Sequence, residues 1–145
     1  MSFEVKFPYD EDTVYLAHCY PYTYTDLHQY LSKVCINESR DRIRKTVLCK
    51  SLAGNDVDVL IITNFNSEPI ELSLRKSVIL TSRVHPGESN SSWIMQGAID
   101  FLVSDEETAK FLRNTFVFKI IPMQNPDGVI VGNYRCCLMG TDMNR

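Results

Sequence analysis

Near its start the chain alternates apolar and polar residues, and further on it switches to helical spacing. Phe3, Val5 and Phe7, then Val14 and Leu16, recur at every second position. That period predicts short strands on either side of the turn-forming run Pro8-Tyr9-Asp10-Glu11-Asp12. Leu27, Tyr30, Leu31 and Val34 share one helical face, with Thr23 or Thr25 placed to cap it. Residues 43–52 and 56–63 read as two strands joined by Gly54-Asn55. Residues 78–84 read as a buried strand. The cap-rich cluster Ser89-Asn90-Ser91-Ser92 then opens a helix whose apolar residues are Trp93, Ile94, Ala98, Phe101 and Leu102. Residues 105–113 add a helical turn or two, with acids first and Arg113 last, as the helix dipole favours. Residues 116–121 form a dense apolar strand ended by Pro122. Strand, helix, strand over residues 78–121 predicts a βαβ crossover, hence an α/β fold with a mixed or parallel sheet.

Composition changes this picture little. Hydrophobic residues make up 44% and charged residues 23% of 145, which fits one globular domain rather than a disordered chain. A net charge of −3 argues against a nucleic-acid binder working by general electrostatic attraction. No apolar run reaches the roughly 20 residues that span a bilayer, and the first residues lack a signal-peptide core. Five cysteines without a CxxC pair (Cys19, Cys35, Cys49, Cys136 and Cys137) fit reduced, intracellular thiols, read as small buried hydrophobes rather than ligands.

Candidate chemistry concentrates after the third predicted strand. His85-Pro86-Gly87-Glu88 places an imidazole and a carboxylate three residues apart across a Pro-Gly turn. Zinc takes both donor types, and ligands of α/β sheets gather at the carboxyl ends of strands. Alone, the pair is better explained as a surface histidine and a helix-start carboxylate. Asn125-Pro126-Asp127-Gly128 follows the next strand and alone reads as a plain turn. Arg135 comes next, in a loop; an Arg beside a zinc-bound carbonyl stabilises a developing oxyanion. Asn144 and Arg145 close the chain, an amide and a planar guanidinium suited to a carboxylate. Each Arg taken separately reads as a solvated surface charge, and His18 and His28 read as ordinary surface or packing histidines.

Taken in order, these strings resemble the M14 family of zinc carboxypeptidases. Residues 83–93, around HPGE, and residues 125–135, around NPDG, look especially like its cytosolic carboxypeptidase branch, in the forms active on polyglutamylated tubulin. The resemblance implies the N-terminal part of a carboxypeptidase-like mixed sheet with flanking helices over residues 21–145. It also implies that residues 1–20 are the last strands of a preceding β-sandwich domain. By position, His85 and Glu88 match two zinc ligands, Arg135 the arginine that polarises the scissile carbonyl, and Asn144 with Arg145 the pair that holds the substrate's terminal carboxylate. Met143 stands where Leu is common in this branch.

The implied activity is zinc-dependent removal of C-terminal glutamates from polyglutamylated tails such as tubulin's, in the cytoplasm and at centrioles and ciliary basal bodies. The family's third zinc ligand, a His, and its catalytic Glu have no match in these residues. The 145-residue chain is therefore expected to be inactive alone, with an apolar edge open along residues 116–121. Two other readings stand beside this one. The chain could serve as an inactive short form acting as a binding module, or belong to a zinc amidohydrolase of small acylated amino acids, which uses a similar HxxE pair.

Overall fold

A computed structural model describes residues 2–37 and 41–145. Helix α1 (Tyr24–Asn37) leads into the hairpin β1 (Ile43–Lys50) and β2 (Asp56–Ile62). A short helix α2 (Pro69–Leu74) precedes β3 (Lys76–Thr81). Then come α3 (Ser89–Val103), α4 (Glu107–Thr115), β4 (Phe116–Ile121) and α5 (Pro126–Val131). The strands form one mixed sheet in the order β1-β2-β4-β3. β1 and β2 are antiparallel, β2 and β4 antiparallel, and β3 and β4 parallel. The βαβ crossover read from the sequence is thus present, spanned by α3 and α4.

Period-two patterning sorts the sheet's faces. In register, Ile62, Phe118 and Val78 form one cross-strand row, and Leu60, Ile120 and Leu80 a second on the same face. Leu60, Ile62 and Ile120 are fully buried there, under Leu31 of α1 and Ile99 of α3. The intervening row, Ile61, Lys119 and Ile79, points to the other face, where Lys119 and Ile79 are exposed. At the start of α1, Thr23 and Asp26 exchange hydrogen bonds. Asp26 N–H donates to Thr23 Oγ1 at 3.1 Å and Thr23 N–H to Asp26 Oδ2 at 2.8 Å. This reciprocal cap satisfies donors that the first helical turn leaves open.

Several expectations need correction. Residues 2–20 contain no strand and lie almost wholly exposed; Phe3, Phe7 and Tyr9 face solvent. A strand needs a paired edge, and none of the described strands runs beside this segment. β3 is not buried: it ends at Thr81 and is an edge strand, with Ile79 66% exposed. The edge predicted along residues 116–121 is internal, because β4 pairs with β2 on one side and β3 on the other. In α3 the buried side is Ser92, Met95, Ile99, Leu102 and Val103, while Trp93, Ile94 and Phe101 are exposed. Two faces of that helix carry apolar residues at helical spacing, so periodicity alone could not choose between them. None of the five cysteines is fully buried, and all are free thiols. Among the described residues no helix is long and apolar enough to cross a membrane.

Candidate metal and substrate site

The loop after β3 carries the HPGE string to the start of α3. Ser82 anchors it: its N–H donates to Ile121 O at 3.1 Å and its hydroxyl to Pro122 O at 2.5 Å. The chain then turns sharply and places His85 inside, 6% exposed. Glu88 occupies the N-cap position of α3 but makes no side-chain cap bond. Its carboxylate faces the imidazole instead, with Oε1 3.3 Å from His85 Nδ1. The two proposed donors are therefore adjacent, as the spacing implied.

Neither glycine in these motifs has room for a side chain. A Cβ at Gly87 would land on the Tyr134 ring, and Gly87 N–H donates to Tyr134 O at 2.7 Å. A Cβ at Gly128 would strike Pro86 Cγ and the Asn125 amide. The NPDG string is more than the plain turn expected. Asn125 caps α5, accepting from Gly128 N–H at 3.0 Å, and its amide donates to Val84 O at 3.2 Å. Asp127 is buried and accepts from Ser51 Oγ at 2.6 Å, Asn55 Nδ2 at 2.8 Å and Ala53 N–H at 3.0 Å. Burial alone pushes this carboxyl up, but the three hydrogen bonds outweigh it and its pKa lies below the ordinary value. NPDG thus ties the HPGE loop to the β1–β2 turn.

Asp142 joins the remaining residues. Its Oδ1 lies 3.0 Å from His85 Nε2 and accepts from Asn144 N–H at 2.9 Å, while Oδ2 accepts from Arg135 Nε at 2.6 Å. The Asn144 N–H lowers the Asp142 pKa most. Contacts with His85 and Arg135 add to it against partial desolvation, and the carboxyl is held at about 2. With Asp142 as acceptor, the tautomer that carries its proton on Nε2 donates to Asp142 Oδ1 and leaves the Nδ1 lone pair, on the side facing Glu88, open to a metal. Asp142 is not among the candidates that the sequence pattern singles out, although its neighbours Asn144 and Arg145 are. The signal was present: a ligating histidine needs an acceptor for its second nitrogen, and the terminal string contains a carboxylate.

The structure brings His85, Glu88 and Arg135 together around Asp142. Asn144 enters through its backbone N–H. The Arg145 guanidinium is exposed and donates to the neighbouring Asn144 O at 2.8 Å, a local contact. His28 stacks edge-on against Tyr24, with ring centroids 4.2 Å apart, and His18 is exposed. One imidazole nitrogen beside one carboxylate oxygen, with the imidazole braced from behind, fits zinc in donor chemistry. Among the described residues no group of three or more His, Cys, Asp or Glu side chains is arranged to hold a metal.

A family profile described as zinc carboxypeptidase matches residues 27–145. The chain belongs to the zinc carboxypeptidase family. Cytosolic carboxypeptidase 2 of Macaca fascicularis is 54% identical over the whole chain, which spans 17% of that protein. The Danio rerio protein of the same name is 56% identical, and the chain spans 20% of its length. A solved metallo-carboxypeptidase from Burkholderia cenocepacia superposes with a TM-score of 0.74 at 25% identity, covering 86% of this chain and 33% of that one. The family and the mixed α/β sheet with flanking helices are those the motifs implied.

Proposed function

We propose that these residues form the zinc-binding and carboxylate-recognising part of a metallocarboxypeptidase that removes C-terminal residues from peptide tails. The observation that carries this reading is the Asp142 carboxylate, which holds His85 and Arg135 in one cluster with Glu88 alongside. His85 Nδ1 and Glu88 would hold the metal. Zinc, when bound, polarises a carbonyl and acidifies water. Arg135, anchored through Nε, keeps its other guanidinium N–H groups to stabilise negative charge growing on the scissile carbonyl oxygen. Asn144 and Arg145 would select a free terminal carboxylate, for which the bound Arg145 leaves its contact with Asn144 O.

A catalytic zinc has three protein ligands and a water. With two donors among the described residues, the 145-residue chain on its own would hold zinc weakly and turn over no peptide. Glutamate tails, including tubulin's, are the substrate proposed, and the cytoplasm the location. Support for the location and for cleavage at a C-terminus is similarity over the whole chain to proteins named cytosolic carboxypeptidases; the choice of glutamate tails rests on the resemblance of residues 83–93 and 125–135 to the forms active on polyglutamylated tubulin. Residues 1–20 are proposed as the end of a preceding β-rich domain, residues 2–20 being exposed and rich in apolar side chains.

The test compares kcat/KM of the full-length protein on a glutamate peptide with a free C-terminus and on its amidated form. The wild type is expected to process the free acid and barely touch the amide. Arg145→Lys, which keeps the charge but loses the fork, should impair the free acid. Equal wild-type rates on the two peptides would overturn the exopeptidase reading. Preference for an N-acyl amino acid over the peptide would favour the amidohydrolase.

A further inference from the structure

Arg83 combines three features that each oppose folding. It is a non-glycine residue with φ of 54°, in the left-handed region. Its guanidinium is buried, the residue being 5% exposed, and that burial pushes its pKa below the ordinary value. It also sits against the first turn of α3, where the helix dipole disfavours a cation. None of the ion pairs found among the described residues gives it a carboxylate. Backbone strain held in place by surrounding structure clusters at functional sites, and the inference runs from such an outlier to its role.

What Arg83 holds is specific. Nε donates to Pro86 O at 2.8 Å, and Nη1 donates to Ser92 Oγ at 2.8 Å. Its backbone N–H donates to Ser91 Oγ at 3.2 Å, and that hydroxyl donates to Glu88 O at 2.8 Å. The Pro86 carbonyl lies on the short span between His85 and Glu88. Its ring is backed by Gly128, where no Cβ fits. The guanidinium thus clips the middle of the HPGE loop to α3, while the left-handed turn frees the backbone to bring His85 inward. Two planar N–H groups reach two acceptors that a lysine ammonium cannot match in direction.

We propose that Arg83 is a positioning residue for the zinc pair, setting the distance and orientation of His85 relative to Glu88 through the Pro86 carbonyl and Ser92. This rests on the zinc reading of His85 and Glu88. Outer partners of metal ligands are worth about 10–100-fold in affinity, and a clip on the ligand loop falls in that range.

The experiment loads the full-length protein with zinc and measures metal content and the rate of zinc transfer to a chromogenic chelator. Wild type, His85→Ala, Arg83→Met, Arg83→Lys and Ser92→Ala are compared, with Tm of each metal-free protein. His85→Ala should hold no zinc. Arg83→Met should release zinc about 10–100-fold faster than wild type. Arg83→Lys should fall between the two, and Ser92→Ala should release it several-fold faster. A merely structural arginine would lower the metal-free Tm and leave the release rate unchanged. If Arg83→Met does not fold, the Lys and Ser92 variants carry the test. Wild-type release rates in the folded variants, with zinc lost in His85→Ala, would overturn the role of Arg83 and leave the zinc pair standing. Full zinc in His85→Ala would overturn the zinc pair and the proposal with it.

Discussion

Residues 82–92 and residues 2–20 are both loop-bearing stretches with charged, apolar and turn-forming residues, yet they fold in opposite ways. The first is nailed down. Ser82, Arg83, His85, Pro86, Ser89 and Ser92 are buried or half-buried, and hydrogen bonds tie the stretch to β4, α3 and residue Asp142. The second has a clean period-two pattern and no strand, with its aromatic side chains in solvent until Tyr20 meets Trp93. Irregular backbone becomes well defined where other elements answer its polar groups, whereas apolar alternation without a partner edge specifies nothing.

Four substitutions probe that contrast, beginning with the largest expected effect. Gly128→Ala forces a methyl into Pro86 and Asn125, both buried, so the clash cannot relax cheaply. It should cost about 3 kcal/mol, the upper end for overpacking, read as a lowered urea midpoint. Gly87→Ala meets the exposed Tyr134 ring, which can swing aside, and should cost less. Equal costs would mean that the HPGE loop is looser than its contacts imply.

Asp127→Asn should cost about 1–3 kcal/mol at pH 7, because the amide N–H₂ at this buried position would meet the Ala53 N–H donor against donor and lose one of three hydrogen bonds. The pH dependence sharpens it. The Asp127 pKa is lowered in the folded state, so its stabilisation is present above the ordinary carboxylate value of about 3.9 and is lost as pH falls through the folded value. Urea midpoints of wild type and variant should therefore converge as pH drops from 5 to 2. A constant difference across that range would show that the carboxylate charge contributes nothing.

The smallest effect is expected in the N-terminal segment. Phe7→Ser in the 145-residue chain should change the urea midpoint by the equivalent of less than about 0.5 kcal/mol, as surface substitutions do. A loss above 1 kcal/mol would show that residues 2–20 pack on the domain and would erase the contrast.

The α1 face, the β1–β2 hairpin and the β3-to-β4 crossover were all legible in the chain, because each is a local period or turn repeated over enough residues to exclude the alternatives. The donor pair was legible too, since HPGE confines His85 and Glu88 to neighbouring positions whatever surrounds them. Strand order was not. Nothing in residues 76–81 or 116–121 says which one lies inside the sheet; that follows from β2 pairing with β4 across more than 50 residues of chain. The buried face of α3 was decided by which side met Leu60 and Ile120, and both sides were apolar enough to qualify. The parts played by Asp142 and Asp127 emerged only when distant segments converged, and that of Arg83 only when the loop folded back onto the start of α3. Partners 57, 76 and 9 residues away give them their hydrogen bonds, and a buried polar side chain takes its meaning from its partners.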